Sequence, residues 1–94
     1  MSAAAIWVVD DDADHRESLC DLIAAAGHMP RALSGGIAAR DAIGTDVPDL
    51  ILSDLRMPGL DGMGLLDAIR AAGIEVPVVL LTGHGDVGQA VRAM

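Results

Sequence analysis

Three short runs of branched apolar residues punctuate the chain, at residues 6–9, 50–52 and 78–81. Each has apolar side chains on both faces rather than strict alternation, the pattern of a parallel strand covered by helices on either side. Each run ends in polar residues: Asp10 after the first, Ser53 and Asp54 after the second, Thr82 after the third. Helical periodicity follows every run. The first helix is predicted to begin near Asp14, where Asp14–His15–Arg16–Glu17 has capping-box spacing. Leu19, Leu22, Ile23 and Ala26 then recur on one face, and Gly27 closes the helix. A helix over residues 61–72 turns Leu65, Leu66 and Ile69 inward and stops at Gly73. A shorter one over 34–43 is ended by Gly44, and a last one opens at Asp86 and carries Val87, Ala90, Val91 and Met94. Residues 28–33 read as a weak strand. Pro30 removes an amide donor there, so this strand belongs at a sheet edge.

Strand and helix alternate four times, which predicts an α/β domain with a doubly wound parallel sheet and right-handed crossovers. Residues 1–94 make one domain at most. A doubly wound unit normally continues beyond a fourth helix, so a fifth strand and helix are expected to be missing from this chain.

Composition narrows the function. The formal net charge is −8, with no basic run, which argues against direct binding of nucleic acid by this segment. The lone Cys20 allows no internal disulfide and suits a reducing compartment. No apolar run is long enough to span a bilayer. The opening MSAAAIWVVDDD lacks a basic leader and meets acid at once, so it does not read as a signal peptide. A cytoplasmic protein, without membrane partners, is expected.

The chemistry is expected at the carboxyl ends of the strands, where open α/β sheets bind ligands. The first strand delivers Asp10, Asp11 and Asp12, the third Asp54, the fourth Thr82. Carboxylates that converge repel one another. A hard divalent cation relieves the repulsion, and an oxygen-rich site suits Mg²⁺. A carboxylate beside such an ion stays charged and can attack phosphorus. An acid triplet before a helix also serves as a cap and favours the helix dipole, but Asp54 on a second strand end adds acid to the same edge. Pro58–Gly59 forms a turn beside it. His15 and His28 have no partner spacing for a metal, His84 reads as a solvated loop residue, and Cys20 as a packed helix residue.

The segments VVDDDADHRESL, LILSDLRMPGLDG and VVLLTGHGD resemble the three signature segments of the response regulator receiver family. The most specific piece is SDLRMPGLDG, and the resemblance spans the whole chain. It implies a flavodoxin-like fold with strand order 2-1-3-4 for the strands present. It implies Asp54 as phosphoacceptor, Asp11 as direct metal ligand, Asp10 assisting through water, the Arg56 carbonyl as a further ligand and Thr82 as the switch hydroxyl. It implies Mg²⁺ as cofactor and a sensor histidine kinase as partner. The receiver would control a transcriptional output domain absent from these residues, acting as a phosphoryl acceptor and not a turnover enzyme. The segments most resemble receivers of sigma-54-dependent activators of the dicarboxylate-transport or nitrogen-regulation type. The family also places a Lys–Pro pair after a fifth strand that carries an aromatic residue, whereas this chain contains no Lys.

Two other readings stand beside this one. A receiver lacking the fifth strand could serve as an interaction module without the switch. The segment GHGDVG, with Gly83, Gly85 and Gly88, also matches a dinucleotide-binding fingerprint. That fingerprint belongs on the first strand–helix turn, and the reading leaves Asp11 and Asp54 unexplained. Self-association through the fourth-strand edge or the first helix is expected, since the missing elements would have covered both.

Overall fold

The computed structural model describes residues 3–81. Four strands, β1 (Ala5–Val9), β2 (Met29–Leu33), β3 (Leu50–Asp54) and β4 (Val78–Leu81), alternate with three helices, α1 (Ala13–Ala25), α2 (Gly36–Ile43) and α3 (Gly62–Ala71). All three strand pairings are parallel, in the order β2-β1-β3-β4. The parallel sheet is the one expected from the alternation of elements, and its strand order is the flavodoxin-like one that the resemblance implies. Pro30 lies in β2, at the sheet edge, where its missing amide costs no ladder bond. The expected helix from Asp86 and the residue Thr82 lie outside the described residues.

The sheet separates two apolar clusters of unequal size. On one side, Trp7, Val9, Leu33, Ile51, Val78 and Leu80 pack with Ala39 and Ile43 of α2 and Leu65, Leu66 and Ile69 of α3. On the other, Ile6, Val8 and Ile23 form a smaller cluster, with Leu19, Cys20, Leu50 and Leu52 half-buried against it. Burial follows this asymmetry. Central β1 is buried from Ile6 to its end, while β3 and β4 alternate between buried and half-buried positions. The expectation of cover on both faces therefore holds for β1 and only in part for β3 and β4.

Two boundaries differ from the sequence expectation. Helix α1 is capped by Asp12, whose side chain accepts from the amides of Asp14 and His15. Asp14 lies inside the first turn instead of capping it. The acid nearer the strand wins because its extended backbone lets the carboxylate reach back over the first amides. The inward face is narrower than the apolar periodicity suggests. Ile23 is buried and Leu19 half-buried, but Leu22 is 67% exposed and Ala26 is an exposed cap residue. Helix α2 begins at Gly36, two residues later than expected.

Helix α3 carries the tightest contact between a helix and the sheet edge. Asp61 caps it through the Gly64 amide at 2.8 Å, and the Gly62 amide donates to the Leu55 carbonyl at 2.9 Å. A Cβ at Gly62 would lie 2.5 Å from the Asp54 carbonyl oxygen and 3.0 Å from Leu55 Cα. Both are backbone atoms and cannot swing aside. The preceding turn needs glycine for another reason: Gly59 has φ +80°, which side chains disfavour. Gly62→Ala is expected to lower stability by about 1–3 kcal/mol through overpacking. Urea unfolding would show this as a lower midpoint; an unchanged midpoint would mean that α3 can move away from β3 at no cost.

Candidate functional site

The register of the sheet assembles the site. Val9 pairs with Ser53, so the next residue of β1's chain, Asp10, emerges beside Asp54 at the carboxyl edge. Carboxylate oxygens of Asp10, Asp11 and Asp54 all lie within 4.8 Å of one another. Asp10 is 1% exposed, Asp54 is half-buried and Asp11 is exposed. The trio thus runs from the protein interior to solvent.

Asp10 is held from several directions. Its Oδ1 accepts the Asp12 amide at 2.9 Å, closing a tight turn after β1. Its Oδ2 meets His15 Nδ1. Its backbone carbonyl accepts Arg16 Nη1 at 2.7 Å, and its amide donates to the Leu33 carbonyl at 3.1 Å. A buried carboxylate without such partners would be costly. The Asp54 strand end is anchored in turn, with the Leu55 amide donating to the Leu81 carbonyl at 2.8 Å.

Burial raises the Asp54 pKa above its usual value of 3.8, and the adjacent Asp10 charge adds to the rise. Backbone hydrogen bonds from Arg56 and Leu55 oppose it, and Asp11 reinforces it. The net direction is upward, as expected for a carboxylate placed among other carboxylates. The residues fit a divalent cation on this ground: three hard oxygen donors converge, and their mutual repulsion is what a cation would relieve.

The structure brings together the expected Asp10, Asp11 and Asp54. The side chain of Arg56 is exposed, and the ligand role assigned to its carbonyl stands on the resemblance. Thr82, Gly83, His84, Gly85 and Gly88 lie outside the described residues. His28 uses Nδ1 to accept the Ala4 amide at 3.0 Å, a structural role at the strand edge. His15 is the residue that sequence reasoning passed over, because its contact with Asp10 follows from the cap. With Asp12 as the cap, His15 is the third helical residue, the position whose side chain often reaches back past the helix start. With Asp14 as the cap, it would have been the first. The available signal was the acid run itself, which offers a cap two residues before the one chosen.

Comparison with known proteins converges on one family. The model of the response regulator receiver domain matches residues 6–94. The DNA-binding transcriptional regulator NtrC of Escherichia coli (strain K12) is 39% identical over 93 residues, which is 99% of this chain and 20% of that protein. The C4-dicarboxylate transport transcriptional regulatory protein DctD of Rhizobium meliloti (strain 1021) is 36% identical over 95 residues, covering 100% of this chain and 21% of that protein. The chain thus spans about one fifth of the length of these relatives. The solution structure of the beryllofluoride-activated NtrC receiver domain is similar with a TM-score of 0.77 and 39% identity, over 99% of this chain and 75% of that one.

The raised pKa of Asp54 makes a stability prediction with a definite sign. The folded state holds the Asp54 proton more tightly than the unfolded chain does. Ionised Asp54 therefore destabilises the fold at neutral pH, and this penalty fades as pH falls through the raised value. It is gone below the ordinary carboxylate range, about pH 4. In a chelating buffer, Asp54→Asn should melt above the wild type at neutral pH, and the gap should narrow as pH falls toward about 4. Thermal melts followed by circular dichroism test this; a variant that melts lower at neutral pH would contradict it.

Proposed function

The chain belongs to the response regulator receiver domain family, and on that premise we propose that Asp54 accepts a phosphoryl group from the phosphohistidine of a sensor histidine kinase. The observation that carries this reading is the gathering of Asp10, Asp11 and Asp54 at the carboxyl edge of β1 and β3. An oxygen of the Asp54 carboxylate attacks phosphorus, and the phosphorus–nitrogen bond breaks. The imidazole leaves with the bonding electron pair, and an acyl phosphate forms. Asp54 suits the attack because it stands half-buried at the end of β3, beside Asp10 and Asp11. Asp10, Asp11, Asp54 and the Arg56 carbonyl would hold Mg²⁺, with Asp10 acting through water. When bound, the ion supplies positive charge against both the carboxylates and the transferred group.

The functional consequence is regulatory. The change of charge at Asp54 would act on the segment that opens with Thr82, and so control an output segment. The relatives are named as transcriptional regulators and are about five times as long as this chain, which supports a transcriptional output; the sigma-54-dependent kind rests on the resemblance of the signature segments. No helix among the described residues is long and apolar enough to cross a membrane, and the single Cys20 suits a reducing compartment. We place the protein in the cytoplasm, acting as a phosphoryl acceptor and not a turnover enzyme. A second reading is a module that binds partners without switching.

We also propose that the 94-residue chain on its own self-associates as a two-fold dimer. Among the described residues β4 pairs only with β3, and its alternate positions are half-buried on the face that also carries Leu50 and Leu52. An edge strand of this kind offers its backbone to a second copy.

Two measurements follow. A protein comprising this chain and a continuation carrying the family's Lys is expected to be labelled by a small phosphodonor, and Asp54→Asn to abolish the label. The amide is a far weaker nucleophile than the carboxylate. Full labelling of the variant would place the acceptor elsewhere. The 94-residue chain itself is expected to label weakly at most. Sedimentation of that chain at micromolar concentration is expected to show a dimer; a folded, strictly monomeric species would refute self-association.

A further inference from the structure

Both oxygens of the buried Asp10 carboxylate have a partner, and only one partner is backbone. Oδ1 takes the Asp12 amide at 2.9 Å, and Oδ2 takes Nδ1 of His15. His15 is itself fixed by the helix start, because the carboxylate of Asp12 that caps α1 accepts its amide at 3.3 Å. Its imidazole is 47% exposed, so the ring stands between the buried acid and solvent. It does not belong to the group of side chains whose donor atoms lie within 4.8 Å of one another, which contains Asp10, Asp11 and Asp54 alone. His15 therefore touches the site through Asp10 and not as one of its ligands.

From this geometry we infer that His15 is a positioning residue for the cation site: it locks the Asp10 carboxylate toward Asp11 and Asp54 and thereby sets the affinity for the divalent ion. This rests on the reading of the trio as a Mg²⁺ site. With Oδ1 bound to a backbone amide, the carboxylate can still tilt about that bond. Repulsion from Asp11 and Asp54 favours a tilt away from the cation position. A donor on Oδ2 opposes the tilt. It also leaves that oxygen a second lone pair for an ion or for water bound to an ion. Outer-shell hydrogen bonds of this kind are worth about 10–100-fold in metal affinity, because they remove the cost of orienting the ligand at the moment of binding. The role needs a donor of suitable reach at position 15, not an imidazole as such.

Calorimetric titration of the 94-residue chain with Mg²⁺ alone tests the inference. His15→Leu keeps an apolar side chain on the helix and removes the donor; His15→Gln keeps a neutral donor. His15→Leu is expected to weaken Mg²⁺ binding about tenfold or more. His15→Gln is expected to recover most of the loss. Melting curves in chelator separate this from a packing role, since packing loss lowers stability without changing the Mg²⁺ dissociation constant of the folded chain. Mg²⁺ affinity within about twofold of wild type in His15→Leu, or tighter binding, overturns the inference and leaves the cation site standing. Equal losses in the Leu and Gln variants overturn it as well. Absence of Mg²⁺ binding by the wild-type chain, at concentrations where Asp11→Asn is equally silent, overturns the cation-site reading and this inference with it.

Discussion

The register between β1 and β3 governs everything at the functional edge. Four consecutive pairs, from Ile6 with Leu50 to Val9 with Ser53, bring both strands to their polar ends at the same level. A one-residue shift of β1 would turn its side chains to the opposite faces of the sheet. Trp7 and Val9 would leave the large cluster, and Ile6 and Val8 the small one. The cost of such a slip is far greater than any repulsion between two carboxylates near a surface. Packing of the apolar residues thus dictates where the acids stand, and the acids have no means of separating without dismantling the sheet.

The helices then hold the edge in shape. Gly62 lets α3 start against the backbone of Asp54 and Leu55, while Gly59 turns the chain between β3 and that helix. On the other strand, Asp12 caps α1 and its amide binds Asp10, so the helix start and the buried acid share one short turn. Arg16 and His15, one turn into α1, reach back to the Asp10 carbonyl and carboxylate. Asp10 and Asp54 are therefore each presented by a strand end and steadied by the helix that follows it.

Much of this was legible in the sequence. The three branched runs announce buried strands, alternation implies the parallel doubly wound sheet, Pro30 puts β2 at an edge, and the full strand order rested on the resemblance to receivers. Asp10, Asp11 and Asp54 could be named because strand ends in such sheets converge on one edge. The cap was harder. Asp12 and Asp14 both offer a carboxylate ahead of a helical run, and the choice depends on how soon the chain turns after β1, which the hydrogen bond between Asp12 and Asp10 decides. Asp12 as the cap makes His15 the third helical residue, from which its side chain reaches Asp10. Leu22 shares the apolar periodicity of Leu19 and Ile23 and is nonetheless left exposed, because periodicity marks an apolar face without showing which part of it finds a partner.

The same edge shows how charge can be converted into a change of structure. Asp10 is buried and bonded at both oxygens, so it cannot move; Asp11 is exposed and can relax into solvent. Asp54 lies between these extremes, half-buried and pushed toward its neutral form by burial and by Asp10. Any change in the charge at this edge is therefore felt most at Asp54 and its immediate backbone. That backbone is tied on one side to Leu81 of β4 and on the other to Gly62 of α3, through the two hydrogen bonds of Leu55. A ligand shifts a conformational balance only as far as it prefers one state over the other. Under the proposed phosphoacceptor role, that preference would arise from relief of repulsion at one half-buried carboxylate, and Leu55, bonded to both neighbours, would carry it to the strand and to the helix beside it.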